Sequence, residues 1–304
     1  MENVIILGSG CAGLTAALYT ARADLNPLVI TGNELGGQIA TTTDVENFPG
    51  FPGGLTGPEL YDLMQRQAER FGARIEIDEV VEVDFKQRPF KLKTHSQTFE
   101  AKSVIVATGA TPRKLDIPGE IEFTGRGVSY CATCDGFFFR NKEIMVVGGG
   151  DSALQEGLFL TKFGKRVQVV HRRDHLRAGP ALQERARKNE KMGFVWNTVV
   201  ESVNGNGAVE SVRLKNVTTG AVHEEPVAGL FVYIGHLPNT WLYKDQLDMD
   251  EEGYLSVDPY LHTNIPGVFA AGEVHDKRFR QAISSAGFGC MAAMEAEKYL
   301  ASLE

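Results

Sequence analysis

Val4-Ile5-Ile6-Leu7-Gly8-Ser9-Gly10-Cys11-Ala12-Gly13-Leu14 decides the fold: an apolar strand runs into three spaced glycines and then into a helical pattern. Ile144-Met145-Val146-Val147-Gly148-Gly149-Gly150-Asp151-Ser152-Ala153-Leu154 repeats it about 140 residues later. At the same offset Val29-Ile30-Thr31 falls on Val169-Val170-His171, with an amphipathic stretch between them in both copies. Each copy therefore reads strand, tight turn, helix, strand. Gly8 and Gly148 make the turn, Gly10 and Gly150 let a pyrophosphate approach backbone N–H groups, and Gly13 and Ala153 allow close helix–strand packing. The expected fold class is α/β, with two Rossmann-like dinucleotide-binding domains.

The residues after the second strand distinguish the two sites. Glu34 lies roughly 20 residues past the first glycines, where a carboxylate bonds ribose hydroxyls, so the first site suits an adenine dinucleotide without a 2′-phosphate. In the second copy His171-Arg172-Arg173, with Arg177 close behind, puts cationic forks where a 2′-phosphate would sit. That favours NADPH over NADH, against the plainer reading of a solvated basic turn.

Working outward, Gly32, Gly36-Gly37-Gln38 and Asn47-Phe48-Pro49-Gly50-Phe51-Pro52-Gly53-Gly54 read as loop crossing the first site. Residues 58–71 carry helical spacing, with Leu60, Leu63, Met64 and Phe71 apolar. Strand-like runs over 74–100 lead to Val104-Ile105-Val106-Ala107-Thr108-Gly109, a buried strand entering a glycine. Pro-containing linkers around 112–118 and at Leu237-Pro238-Asn239 bracket the second copy, which implies a domain inserted into the first. The expected division is 1–113 with 242–304, and 114–241. Near the end, Asn264-Ile265-Pro266-Gly267-Val268-Phe269-Ala270-Ala271-Gly272-Glu273 gives a turn, a strand, a glycine and an acid able to hold a polyol chain. A helix from Arg280-Gln281-Ala282 to Met294 would offer its positive N-terminus to an anionic reduced flavin ring.

Composition narrows the function classes. At 304 residues there is room for two cores, and 43% hydrophobic with 23% charged residues excludes disorder, collagen and coiled coil. No apolar run reaches the roughly 20 residues of a membrane helix, and the apolar start is too short for a signal peptide, so a cytoplasmic chain without membrane partners is expected. A net charge of −8 speaks against nucleic acid as a partner. Four cysteines are too few for a secreted disulfide scaffold, and Cys131-Ala132-Thr133-Cys134 is the one close pair. It has the spacing of a redox disulfide, with Asp135 beside it to supply or take a proton. Half of a zinc site is the alternative, but no second CxxC exists, and no metal is expected. Cys11 and Cys290 read as small buried residues, Phe137-Phe138-Phe139 as core or domain interface, and Trp196 and Trp241 as packing residues.

Taken together, these segments resemble the low-molecular-weight thioredoxin reductases over nearly the whole chain. The resemblance rests on Gly8 to Gly13, Gly36-Gly37-Gln38, Val106 to Gly109, Cys131 to Gly136, Gly148 to Ala153, His171-Arg172-Arg173, Ile234-Gly235 and Arg280-Gln281-Ala282. It implies an FAD domain built from both chain ends, an inserted NADPH domain carrying the CxxC, and a homodimer. The implied FAD residues are Gly8, Gly10, Cys11, Ala12, Gly13, Glu34, Gly37, Gln38, Asn47, Ala107, Thr108, Gly109, Gly272, Glu273, Arg280, Gln281 and Ala282. For NADPH they are Gly148, Gly150, Asp151, Ser152, Ala153, His171, Arg172, Arg173, Arg177, Ile234 and Gly235.

The resemblance further implies a relay from NADPH through FAD and the Cys131–Cys134 disulfide to a thioredoxin or similar protein. Cys134 is then the flavin-facing sulfur, Cys131 attacks the partner, Asp135 is the acid–base group, and the inserted domain turns about its linkers. The chain departs from the family pattern at Cys11, where Pro is usual; at Gln155-Glu156, where two acids are common; at Glu273, where Asp is usual; and at His175-Leu176, which lacks the frequent aromatic. The alternatives are a same-fold flavin thiol enzyme using a ferredoxin-type donor or oxygen, and a non-catalytic flavin-binding regulator. The intact basic triplet and the CxxC with Asp135 weigh against both.

Overall fold

A computed structural model describes residues 1–42 and 44–303; Thr43 and Glu304, the last residue of the expected first domain, lie outside the described residues. The chain forms two compact units, Met1–Thr111 with Leu237–Glu304, and Pro112–His236. These limits fall at the start of each expected linker, a few residues before the expected division, and hydrogen bonds explain why. The buried Glu120 carboxylate accepts the N–H groups of Leu115 and Asp116 at 2.8 and 2.7 Å and the Tyr130 hydroxyl at 2.9 Å, which folds 112–118 onto the second unit. Asn239 exchanges side-chain and backbone bonds with Thr108, both at 2.8 Å, which ties 237–241 to the first.

In the first unit, strands run in the order Arg74–Glu76, Leu28–Ile30, Glu2–Leu7, Thr98–Val106, Val268–Ala270, all parallel. Phe90–Thr94 and Val80–Asp84 add antiparallel strands to the first half of Thr98–Val106. The central strand is apolar without alternation because both faces are covered. Val4 and Ile6 pack with Ala16, Ala17, Ala292 and Ala296 of helices Cys11–Arg22 and Ala282–Ala301, while Ile5 and Leu7 join Phe85, Phe90 and Tyr243 on the other side.

The second unit repeats this frame: Met192–Val195, Arg166–Val170, Glu143–Val147, Gly229–Val232 and Val128–Ser129 are parallel, with a separate antiparallel sheet of Thr198–Gly205, Val209–Asn216 and Val222–Pro226. The repeat holds in register, since Leu7 stands opposite Ile30 and Val147 opposite Val170. The helix after each glycine turn begins at corresponding residues, Cys11 and Asp151. No described helix is long and apolar enough to cross a membrane.

Several local expectations change. The stretch read as loop after Gly36 contains a 3-10 helix, Gly37–Thr41, because Gly36 at φ 76° turns the chain into it. The helix expected over 58–71 is Gly57–Arg70, started by a reciprocal Thr56/Glu59 cap. Its inward stripe is Leu60, Met64 and Ala68, leaving Leu63 and Phe71 exposed. The last helix continues to Ala301, two turns past Met294. Of the aromatic run only Phe139 is buried, against Phe231; Phe137 and Phe138 face outward. Trp196 stacks on Phe194, but Trp241 is 67% exposed, and Cys290 is only partly buried.

The turn glycines differ between the copies in one way that can be measured. A Cβ on Gly13 would stand 1.9 Å from the Gly8 carbonyl oxygen, whereas the second copy already accommodates Ala153 there. Gly13→Ala is therefore expected to destabilise the first unit by about 2–3 kcal/mol, the scale of overpacking. Ala153→Gly should lose only about 1 kcal/mol of helix propensity. Urea unfolding of both variants tests this, and equal losses would contradict it.

Candidate active site

Cys131 and Cys134 form a disulfide across a short helical turn, Ala132–Asp135, that follows edge strand Val128–Ser129 of the second unit. Both cysteines are half-buried. The turn is fixed through its backbone: Cys131 N–H donates to Ser129 Oγ at 3.0 Å, Ala132 N–H to the Tyr233 hydroxyl, and Cys134 N–H to Cys131 Sγ at 3.2 Å. Ser129 Oγ lies 2.5 Å from Asp135 Oδ2. Asp135 is thus half-buried and held from behind. Burial holds the Tyr233 phenol well above its ordinary range, with the Glu156 and Asp135 charges adding to the effect.

The same carboxyl edge of that sheet carries the second glycine turn. Gly150 precedes helix Asp151–Leu160 in extended conformation with no side-chain cap, and no described atom lies within 4 Å of where its Cβ would be. The turn therefore offers first-turn N–H groups and open space to an anion. The His171–Arg177 loop folds back on it, since the Arg177 and Ala178 N–H groups donate to the Gly149 carbonyl at 2.7 and 3.1 Å. Asp151 Oδ1 accepts the Gly179 N–H at 2.8 Å. Arg172, Arg173 and Arg177 are exposed, and His171 is buried against Gly149 with Nε2 lacking a hydrogen-bond partner among the described residues. Burial lowers the His171 pKa, and the three arginines and His175 lower it further, so the ring is neutral within a cationic rim. Ile234 and Gly235 follow strand Gly229–Val232 on this edge, whereas Ser152 lies in the first turn of the helix.

In the first unit the sequence-selected residues also gather at the carboxyl ends of parallel strands, where such sheets bind ligands. Gly10 precedes helix Cys11–Arg22 uncapped, with its nearest neighbour for a Cβ, the Gly36 carbonyl, 3.7 Å away. Ser9 Oγ accepts the Gly36 N–H at 3.0 Å, drawing the Gly36-Gly37-Gln38 turn to the glycine loop. Gln38 Nε2 donates to the Ala110 carbonyl at 2.6 Å and to Glu273 Oε2 at 2.8 Å. Asn47 Nδ2 lies 3.3 Å from Gln281 Oε1, and Gln281 caps the last helix, whose first residue is Ala282. Ala107, Thr108, Gly109, Gly272 and Arg280 lie on the connecting loops, and Ala12 packs under Gly272. Glu34 is exposed, touching the site through its carbonyl, which accepts the Gly37 N–H at 3.2 Å.

The profile of the pyridine nucleotide-disulphide oxidoreductases matches residues 2–289. A thioredoxin reductase of Streptomyces coelicolor is 54% identical over 309 residues, covering 100% of this chain and 95% of its own. One from Rickettsia bellii is 53% identical over 303 residues and covers 98% of both. The chain belongs to this family, among the thioredoxin reductases. The crystal structure of thioredoxin reductase from Streptococcus pyogenes superposes with TM-score 0.95 at 44% identity over 99% of each chain. The family is one of oxidoreductase enzymes acting with flavin and nicotinamide nucleotides, and the Cys131–Cys134 disulfide fits it.

Against the family pattern, Glu273 uses its longer side chain to reach Gln38, and burial raises its pKa. Cys11 is inert as a nucleophile, because burial first and the Glu273 charge second push its thiol up to about 12. Sequence reasoning missed Ser9, Ser129, Tyr233 and Asn239. Each acts by bonding the backbone of a motif from outside it, and no local pattern marks that role.

His275 follows the Gly272-Glu273 loop, its ring edge-on to Phe288 at 4.7 Å. Burial lowers its pKa from 6.5 to about 4, opposed by Asp276. Above pH 6.5 both folded and unfolded states hold it neutral. As pH falls from 6.5 to 4, only the unfolded chain gains the proton, and stability falls by up to about 3 kcal/mol. His275→Phe should flatten the acid limb of urea-unfolding midpoints between those values. An unchanged slope would remove His275 from the account.

Proposed function

We propose that the first unit binds FAD, that the inserted second unit binds NADPH, and that the Cys131–Cys134 disulfide passes electrons to a thioredoxin. The observation that carries this reading is the CxxC turn at the carboxyl edge of the second nucleotide-type sheet, with Asp135 hydrogen-bonded behind it. Fit to the cofactors is supported by two uncapped helix N-termini, with open space at Gly150 and the Gly36 carbonyl 3.7 Å from a Cβ at Gly10, and by the Nε2 of His171, which lacks a hydrogen-bond partner among the described residues. Gln38, Asn47, Thr108, Glu273 and Gln281 would hold the flavin nucleotide. Arg172, Arg173 and Arg177 would hold a 2′-phosphate. When bound, the two cofactors supply the two-electron hydride chemistry that side chains lack.

The chain's own residues handle sulfur and proton. Breaking the disulfide with two electrons leaves negative charge on sulfur. The Cys134 N–H directed at Cys131 Sγ stabilises a Cys131 thiolate, consistent with Cys131 as the group that attacks the partner. Asp135 holds the proton exchanged with the sulfurs. Beside them Phe137 and Phe138 are 51% and 38% exposed, with the Arg140 guanidinium 4.6 Å from the Phe137 ring, a surface suited to a protein substrate.

Anaerobic titration of the purified flavoprotein is expected to bleach the flavin with NADPH and much less with NADH. Cys131→Ser and Cys134→Ser should each abolish thioredoxin reduction while leaving bleaching intact. The Arg172→Ala/Arg173→Ala double variant should raise KM for NADPH roughly 10- to 100-fold and leave that for NADH nearly unchanged. A flavin that resists NADPH but is bleached by dithionite would overturn the NADPH assignment and leave a thiol flavoenzyme with another donor.

A homodimer is the reading we favour for the outer face of the last helix. Ile283, Met291 and Met294 are 46%, 40% and 49% exposed on one stripe, with Tyr19 of the first helix at 42% beside it. Met291→Glu/Met294→Glu should halve the mass seen by sedimentation. A wild type that sediments as one chain would refute the dimer.

A further inference from the structure

We propose that Ser129 is a positioning residue that binds the Asp135 carboxyl group and the Cys131 backbone into one hydrogen-bonded unit, and so sets the pH at which Asp135 gives up its proton. The inference rests on the reading of Asp135 as the proton-handling group of the disulfide.

The geometry begins with strand pairing. Ser129 stands opposite Phe231 in the parallel ladder, which fixes its side chain at the end of a buried strand and brings Tyr233, two residues further on, to the same turn. Ser129 Oγ then has three neighbours: the Cys131 N–H at 3.0 Å, Asp135 Oδ2 at 2.5 Å and the Cys131 carbonyl at 3.3 Å. A hydroxyl has one proton and two lone pairs. With Asp135 ionised, Ser129 accepts from Cys131 N–H and donates to the carboxylate. With Asp135 protonated, the carboxyl O–H donates to Ser129 Oγ, and the hydroxyl turns its own proton to the Cys131 carbonyl. Both protonation states are satisfied without moving a heavy atom. The ionised state gains a charge-assisted bond from the hydroxyl, so Ser129 favours it.

Other charged groups lie around the turn. Tyr233 faces it from just past the end of strand Gly229–Val232, with its hydroxyl on the Ala132 N–H and electrostatically linked to both Asp135 and Glu156. Glu156, Lys162 and Arg185 line a recess beside Thr133, together with Gln155 and Phe159. Ser129 contributes a hydroxyl that contacts both ends of the turn.

The test is a titration of the Asp135 carboxyl carbon by NMR in the full-length oxidised protein labelled with carbon-13 aspartate, the signal assigned by its loss in Asp135→Asn. Ser129→Ala should raise the Asp135 midpoint by about 1 unit, the scale of a hydrogen bond to a charged group. Ser129→Thr, which keeps the hydroxyl, should titrate close to wild type. Circular dichroism identifies any variant that misfolds. In turnover with NADPH and thioredoxin, the pH limb attributed to Asp135 should move by the same amount, and the Ser129→Ala effect should vanish in the Asp135→Asn background. An Asp135 midpoint unchanged in a folded Ser129→Ala protein overturns the assignment. A shifted midpoint in a chain that reduces no thioredoxin keeps Ser129 in place and removes the thioredoxin reading instead.

Discussion

The structure depends on how closely the backbone approaches itself after each central strand. At Gly8 and Gly148 a Cβ would come within 2.4 Å of the carbonyls of Ala107 and Tyr233, the residues that leave the neighbouring strand. Their φ values of 106° and 151° make glycine the residue for the turn. That contact lets the chain leave the strand, reverse and enter a helix whose first N–H groups open onto the carboxyl edge of the sheet. Every candidate binding group in each unit then falls on that edge, because parallel strands bring all their following loops to one side.

Much of this was legible in the sequence because it is written in spacings. The paired fingerprints fixed two parallel sheets, and the offset between Val29-Ile30 and Val169-Val170 carried through to identical strand register. The CxxC was legible because two cysteines three residues apart have few uses. What stayed hidden acts across sequence distance. Glu120, buried beneath the linker, reads as one more charge in Ile117-Pro118-Gly119-Glu120, yet it decides to which unit that segment belongs. Leu63 and Phe71 fit a helical stripe, but only packing shows that the inward line runs through Leu60, Met64 and Ala68. Trp241 follows the same rule, since apolar character alone does not say which side of a short 3-10 turn is covered.

Tyr233 shows how a site inherits constraints from a fold. Its carbonyl closes the Gly148 turn and its hydroxyl holds the Ala132 N–H, so one residue serves both the nucleotide-type turn and the disulfide turn. The corresponding residue in the first unit, Ala107, closes the Gly8 turn alone. The added phenol takes a buried position just past the end of strand Gly229–Val232, whose parallel neighbour Val128–Ser129 leads directly into the disulfide turn.

The two copies of one frame also separate the charges their ligands require. The second carries exposed arginines around a neutral His171. The first offers the half-buried Glu273 with amide side chains at Gln38, Asn47 and Gln281. A polyanionic 2′-phosphate is held best by exposed guanidinium groups, whose desolvation is small and whose forks match its oxygens. A neutral polyol is held best by amides and a carboxylate that burial makes directional. Because the backbone part of both sites is common, the substitutions that separate them lie in side chains at strand ends, where they leave the glycine turns and the sheet register untouched.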